Sequence, residues 1–123
     1  IVLVNVTAYI NQGKNAAIKG NLSSTLTNGA VHFDVNGSYS TFCASTVVVQ
    51  ALAAADAAEG ISTTTAAHCD ANAAADKWCA CSPIKATSSE SGTFCVDSTG
   101  SKSVTATVCA TRCDTTADTG ACS

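Results

Sequence analysis

Ile18-Lys-Gly-Asn-Leu22-Ser-Ser-Thr-Leu26-Thr-Asn-Gly-Ala30-Val-His-Phe33 is the stretch on which the fold turns. Its apolar side chains step by four, four, four and three, the spacing of one helix face, and strand alternation fits nowhere in 15–30. Upstream, Ile1, Val2, Leu3, Val4, Val6, Ile10 and Ala17 carry the apolar content onward without a turn signal, so the spacing predicts one helix over 1–33. About 30 residues at ~1.5 Å each make a rod of ~45 Å, longer than a domain of this size is wide, so one end should protrude. Gly13, Gly20 and Gly29 each weaken such a helix by up to ~1 kcal/mol relative to Ala, and mark either close packing against a neighbour or kinks. Ile1–Val4 is apolar all round and has no capping residue, which reads as a helix continued from a longer apolar segment rather than a buried edge strand.

The 123 residues are enough for a single modest core. Apolar residues make up 46% but aromatics only 5%, with one Trp (Trp78) and one Pro (Pro83). Charged residues amount to 12%, and the net charge is −3. The cations Lys14, Lys19, Lys77, Lys85, Lys102 and Arg112 are scattered, which argues against nucleic-acid binding driven by net charge. The apolar content also excludes a charged disordered tail. No apolar run reaches the ~18 residues that span a bilayer.

The eight cysteines are Cys43, Cys69, Cys79, Cys81, Cys95, Cys109, Cys113 and Cys122. An even number, dense after a cysteine-free first third, reads as a disulfide framework formed outside a reducing cytosol. Zinc sites want paired cysteines with histidines or further pairs at finger spacing. Here the close pairs are Cys79-Ala-Cys81 and Cys109-Ala-Thr-Arg-Cys113, and His32 and His68 lie near neither, so no metal is expected.

Asn36-Gly37-Ser38 opens a second zone as a turn. A helix is predicted over Thr46–Glu59, capped by Ser45 or Thr46 and stopped by Gly60. Residues 61–76 carry no clear signal. Strands are predicted over Lys77–Ile84, Thr93–Ser98 and Lys102–Val108, with turns at Ser88–Gly92 and Ser98-Thr99-Gly100, as an antiparallel meander. The tail from Cys109 to Ser123 reads as a loop that needs stapling. The expected fold class is α+β: a long N-terminal helix packed on a small antiparallel sheet, with a disulfide-pinned C-terminal loop. One domain is expected, made of a helix (1–33), a helix and loop region (34–76), the sheet (77–108) and the tail (109–123).

Ile1-Val-Leu-Val4, Lys14-Asn-Ala-Ala-Ile-Lys19 and Asn21-Leu-Ser-Ser24 resemble the second half of the N-terminal helix of bacterial type IV pilins and pseudopilins. Gly37-Ser-Tyr-Ser-Thr-Phe-Cys43, Trp78, Ser82-Pro-Ile-Lys85 and Phe94-Cys-Val-Asp-Ser-Thr-Gly100 are similar to the globular half of small four-cysteine pilin-like proteins. Together these stretches touch about half of the chain. The family's leader, with Gly before the cleavage point and Glu five residues into the mature helix, does not occur in this sequence. The resemblance therefore implies roughly twenty further apolar residues ahead of Ile1, the length of a membrane anchor. It implies pairing of Cys43 with Cys69 and of Cys95 with Cys122. Cys79, Cys81, Cys109 and Cys113 are extra, and would tie the first strand to the tail in a pairing left open. The C-x-C at Cys79 is also similar to plant lipid-transfer proteins, but those carry adjacent cysteines that this chain lacks.

Other chemistry is thin. His68-Cys69-Asp70 with Cys79 could supply a Cys/His nucleophile only with a free thiolate, whereas each cysteine is expected to be bridged. No G-x-S-x-G, phosphate-binding Gly loop or acid/base carboxylate pair occurs, so no catalytic residue and no cofactor are assigned. Asp114 and Asp118 could offer Ca²⁺ two carboxylates, too few for a site wanting six to eight oxygens. Asn5-Val-Thr7, Asn21-Leu-Ser23 and Asn36-Gly-Ser38 fit the N-glycosylation pattern, which is short and arises by chance.

The resemblance thus implies a structural subunit of an extracellular, cell-surface type IV pilus-like filament serving adhesion, motility or DNA uptake, anchored in the inner membrane as a precursor. Ile1, Val2, Leu3, Val4, Val6 and Ile10 would form the assembly face toward other copies. Further partners would be the membrane assembly machinery and external surfaces or DNA, with no small-molecule substrate. Alternatives are a type II secretion pseudopilin and a monomeric secreted disulfide-rich binding module.

Overall fold

A computed structural model describes residues 2–60, 67–113 and 122, the side chains of residues 2–5, 110 and 111 apart. Helix α1 runs Val2–Asn36, 35 residues, and is ~52 Å long at ~1.5 Å per residue. It outlasts the expected end at 33 because Asn36-Gly37 is its stop rather than the opening of the next zone. Gly37 takes φ 74°, and its N–H donates to the Phe33 carbonyl at 2.7 Å, a left-handed cap that favours glycine. A 3-10 turn, Phe42–Ala44, leads to α2, Thr46–Glu59, which Gly60 ends as expected. Ser45 stands at the N-cap of α2, but its hydroxyl donates to the Phe42 carbonyl at 2.6 Å instead of capping helix amides.

Strands β1 (His68–Ala71), β2 (Trp78–Ile84), β3 (Gly92–Asp97) and β4 (Lys102–Thr105) form one antiparallel meander in chain order. The α+β class stands, with one strand more than the sequence suggested. β1 lies inside the unassigned 61–76 stretch; His-Cys-Asp-Ala has poor strand propensity and is held by pairing along β2 and by its cystine. β4 stops three residues short of Val108, because the chain turns there to carry Cys109 beneath Cys81.

Strand alternation divides the sheet into two faces. Trp78, Ala80 and Ile84 of β2 with Phe94 and Val96 of β3 meet Ile18 and Leu22 of α1 and Val48 and Ala55 of α2 in the main core. Trp78 is 1% exposed and packs edge-on to Phe42, ring centroids 4.8 Å apart. On the other face Cys79, Cys81 and Cys95 form a second buried cluster with Cys109 and Cys113.

The buried stripe of α1 is Asn15, Ile18, Leu22, Thr25 and Gly29, stepping three, four, three, four. The expected line through Ala30 and Phe33 is corrected: both are exposed. Each step of four overshoots a turn by about 40°, so three such steps carry Ala30 about 120° away from Ile18. Of the expected glycine packing sites, only Gly29 is one. A Cβ there would lie 2.9 Å from the Trp78 indole nitrogen, whereas nothing lies within 4 Å of such an atom at Gly13 or Gly20.

All eight cysteines are paired: Cys43–Cys69, Cys79–Cys113, Cys81–Cys109 and Cys95–Cys122. The tail is not all loop, since Cys109–Arg112 forms a helical turn, α3. Residues four apart on a helix and two apart on a strand both repeat at about 6–7 Å on one side, so Cys109/Cys113 and Cys81/Cys79 fit together as a ladder of two bonds. Arg112, 2% exposed, is sealed beneath the sheet. Its guanidinium donates to the carbonyls of Thr93 and Ser103, each at 2.7 Å, and to the Ser103 hydroxyl. Burial lowers its pKa from the ordinary arginine value, while the charge of Asp97 acts in the opposite direction.

Candidate functional site

The feature that the core leaves unexplained is the outer face of α1. The rod is fixed where it leaves the sheet. Asn15, 1% exposed, donates its amide to the Lys85 carbonyl at 2.8 Å and accepts the Lys85 N–H at 2.7 Å. One turn on, Lys19 pairs with Glu90 at 2.5 Å. Asn15→Leu should cost about 1–3 kcal/mol in chemical denaturation, because it strands both Lys85 backbone groups.

Ahead of this clamp one side of α1 faces the 86–88 loop, with which Thr7, Ala8, Asn11 and Gln12 line a cavity, and the other side is exposed. Val6 (45% exposed), Tyr9 (73%) and Ile10 (50%) form a ridge at i, i+3, i+4. No Asp, Glu, Lys or Arg precedes Lys14. At the far end, Val31 (58%) and Val35 (75%) of α1 stand beside Val47 (45%) of α2. They border a groove of about 280 Å³ floored by Phe42 and lined by no Asp, Glu, Lys or Arg. Twenty-five residues are just under seven turns, so Val6 and Val31, like Ile10 and Val35, share one side of the rod to within about 20°. Between them on that side lie Gly13, Ala17, Gly20 and Ser24, all exposed. The outer face is thus apolar at both ends and small in the middle, with exposed Lys14 one turn on from Ile10 and exposed Asp34 one turn on from Val31.

Of the expected assembly residues, the structure puts Val6 and Ile10 together on this ridge. Val2, Leu3 and Val4 belong to the first turns of α1, with side chains outside the described set, and Ile1 lies outside the described residues. The sequence reading missed Val31, Val35 and Val47. For Val31 and Val35 the signal is their 25-residue phase relation to Val6 and Ile10; Val47, in α2, carries no such signal.

The remaining candidates separate. Cys69 is bonded to Cys43, so its sulfur is no thiolate, and strand alternation turns His68 and Asp70 to the opposite face. Asp114 and Asp118 lie outside the described residues, among which no cluster of three or more His, Cys, Asp or Glu could hold a metal ion. Arg112 is buried and leaves the surface set of cations; Lys19 faces Glu90, and Lys85 lies 4.0 Å from Glu59. Asn21-Leu-Ser23 sits mid-helix around buried Leu22, whereas Asn36 is exposed at the helix end; the Asn5 side chain is outside the described set. No helix among the described residues is long and apolar enough to cross a membrane. Compared with known family models, curated proteins and solved structures, the chain matches none.

Proposed function

We propose that this protein is a structural subunit of an extracellular type IV pilus-like filament, assembled through α1 and exported by membrane machinery that supplies the energy. The observation that carries this reading is the exposed, uncharged ridge of Val6, Tyr9 and Ile10 on a helix clamped at Asn15. A free helical segment this short is marginal in water, yet here the anchored half supplies the nucleus and keeps the ridge presented. Covering each half-exposed side chain would stabilise an assembly by roughly 1–2 kcal/mol. Gly13 and Gly20 agree with this. Each costs helix stability and meets nothing inside the molecule, but lets another helix approach closely.

The test is Val6→Lys/Ile10→Lys in the full-length gene of the native cell, with filaments scored by electron microscopy and subunit abundance by immunoblot. Loss of surface filaments at unchanged subunit abundance is expected, and wild-type filaments would refute the reading. A secretion defect with surface filaments intact would assign the chain to the pseudopilin class instead. The coding sequence ahead of Ile1 gives an independent check, since an apolar stretch preceded by a processing leader is expected there.

A further inference from the structure

We propose that Asn15 and Lys19 react with each other, closing an amide bond between their side chains with Glu90 as the proton carrier and ammonia as the product. The groups gathered around the Asn15 clamp are those of an acyl transfer: an amine, an amide carbonyl, a carboxylate that touches both, and a donor on the carbonyl oxygen. Lys19 lies one turn after Asn15 on α1. Side chains on a helix lean toward its N-terminus, so Lys19 reaches back over Asn15. One carboxylate meets both nitrogens: Glu90 Oε2 accepts from Lys19 Nζ at 2.5 Å, and Oε1 accepts from Asn15 Nδ2 at 3.3 Å. Thr87 fixes the Glu90 backbone, its hydroxyl accepting the Glu90 N–H at 3.1 Å and its own N–H donating to the Glu90 carbonyl at 2.8 Å. Asn15 Oδ1 accepts the Lys85 N–H at 2.7 Å, on the atom where a tetrahedral intermediate gathers negative charge. Asn15 is 1% exposed, and the buried Phe94 ring has its centroid 6.0 Å from Lys19 Nζ, so the carbonyl is screened from water.

The step balances within three side chains. Glu90 takes a proton from the Lys19 ammonium, and the freed Nζ pair forms the bond to Asn15 Cγ while the carbonyl pair moves onto Oδ1. Glu90 then delivers its proton to Nδ2 and removes the excess proton of Nζ. The Cγ–Nδ2 bond breaks, its pair leaving with ammonia as the carbonyl re-forms, and the ammonia takes up the proton left on Glu90. An ammonium and a primary amide become a secondary amide and an ammonium ion, with no oxidant, reductant or co-reactant. Each molecule reacts once with its reactants already held together, so even a slow step runs to completion. The product is a ring spanning one turn of α1 where the helix leaves the sheet, and Oδ1 keeps its hydrogen bond from Lys85.

Intact mass and tryptic mapping of the whole chain, purified with its cystines formed, test this. The wild type is expected to be lighter by one ammonia than its sequence and cystines require, and to resist trypsin at Lys19, because an acylated lysine carries no charge. Lys19→Arg keeps the ion pair and Glu90→Gln keeps the size of the side chain; matching circular dichroism confirms that both fold, and both are expected at full mass. A wild type at full mass that trypsin cuts after Lys19 would overturn the proposal. So would ammonia loss from the same peptide that persists in either variant, or exchange of the amide for a carboxylate at position 15, in which water rather than Lys19 is the nucleophile. The bond is independent of the filament reading, and none of these outcomes bears on it.

Discussion

Removing both bonds that hold α3, by changing Cys79, Cys81, Cys109 and Cys113 to Ala, is expected to destabilise the protein by about 6 kcal/mol, while removing either bond alone costs only about 2 kcal/mol. The asymmetry follows from the ladder. Cys81–Cys109 and Cys79–Cys113 span 28 and 34 residues, and either alone closes nearly the same loop. The chain-entropy relation gives ~3.6 kcal/mol for the first bond formed; the second then closes only a small ring, worth ~2 kcal/mol more. Guanidinium denaturation of the two paired-alanine variants and of the quadruple variant tests this. Equal, additive losses near 3 kcal/mol per bond would mean that the two bonds do not act on one loop. The quadruple variant should also expose Arg112, whose two backbone acceptors belong to the strands that α3 covers.

Trp78→Ala is expected to cost about 3–5 kcal/mol, the upper range for a truncated core aromatic. The indole is where the layers meet: β2 supplies it, Phe42 and Tyr39 pack at 4.8 and 6.4 Å between ring centroids, and α1 closes over it at Gly29. A sharper version uses Gly29. In the wild type, Gly29→Ala drives a methyl against the indole and should destabilise by about 1–3 kcal/mol. In a Trp78→Phe background the indole nitrogen and benzo edge are gone, and the same change should stabilise by up to about 1 kcal/mol through helix propensity. A sign reversal between backgrounds is the signature of direct contact. If Gly29→Ala destabilised equally in both, the close approach of α1 to Trp78 would be wrong.

These two sites also mark what could be read from the chain before its fold was known. Helix α1, the Gly60 stop and the strands around Trp78, Phe94 and Val104 were legible because local periodicity and turn residues agree there with the tertiary arrangement. The sheet-facing stripe was misphased because its members include Asn15, Thr25 and Gly29. Those residues are buried for hydrogen bonding and close approach, and a tally of apolar side chains passes over them. β1 was illegible for a different reason. Its four residues pair because β2 and Cys43 are there, and nothing in His68–Ala71 favours a strand alone. α3 likewise needs its cystines, since a four-residue helical turn has no stability of its own. At the candidate site, Val6 and Ile10 stood out as members of the apolar run upstream of Ile18. Val31 and Val35 did not, because a sequence gives a helix two faces without saying which one the domain will take.

The cystine wiring also limits how far the molecule can be stretched. Helix α1 carries no cysteine, and tension entering through it reaches the rest of the chain along 37–42 to Cys43. From there the shortest covalent route crosses to Cys69, runs to Cys79, crosses to Cys113 and continues to Cys122. That route holds only about 26 residues of slack and two cystine crossings, so even with every strand pulled apart it could pay out no more than ~100 Å between Asn36 and Cys122, where an unbridged chain would reach ~300 Å. A molecule hauled on from both ends would behave as a short tether, giving way locally and recovering, with most of its length never released.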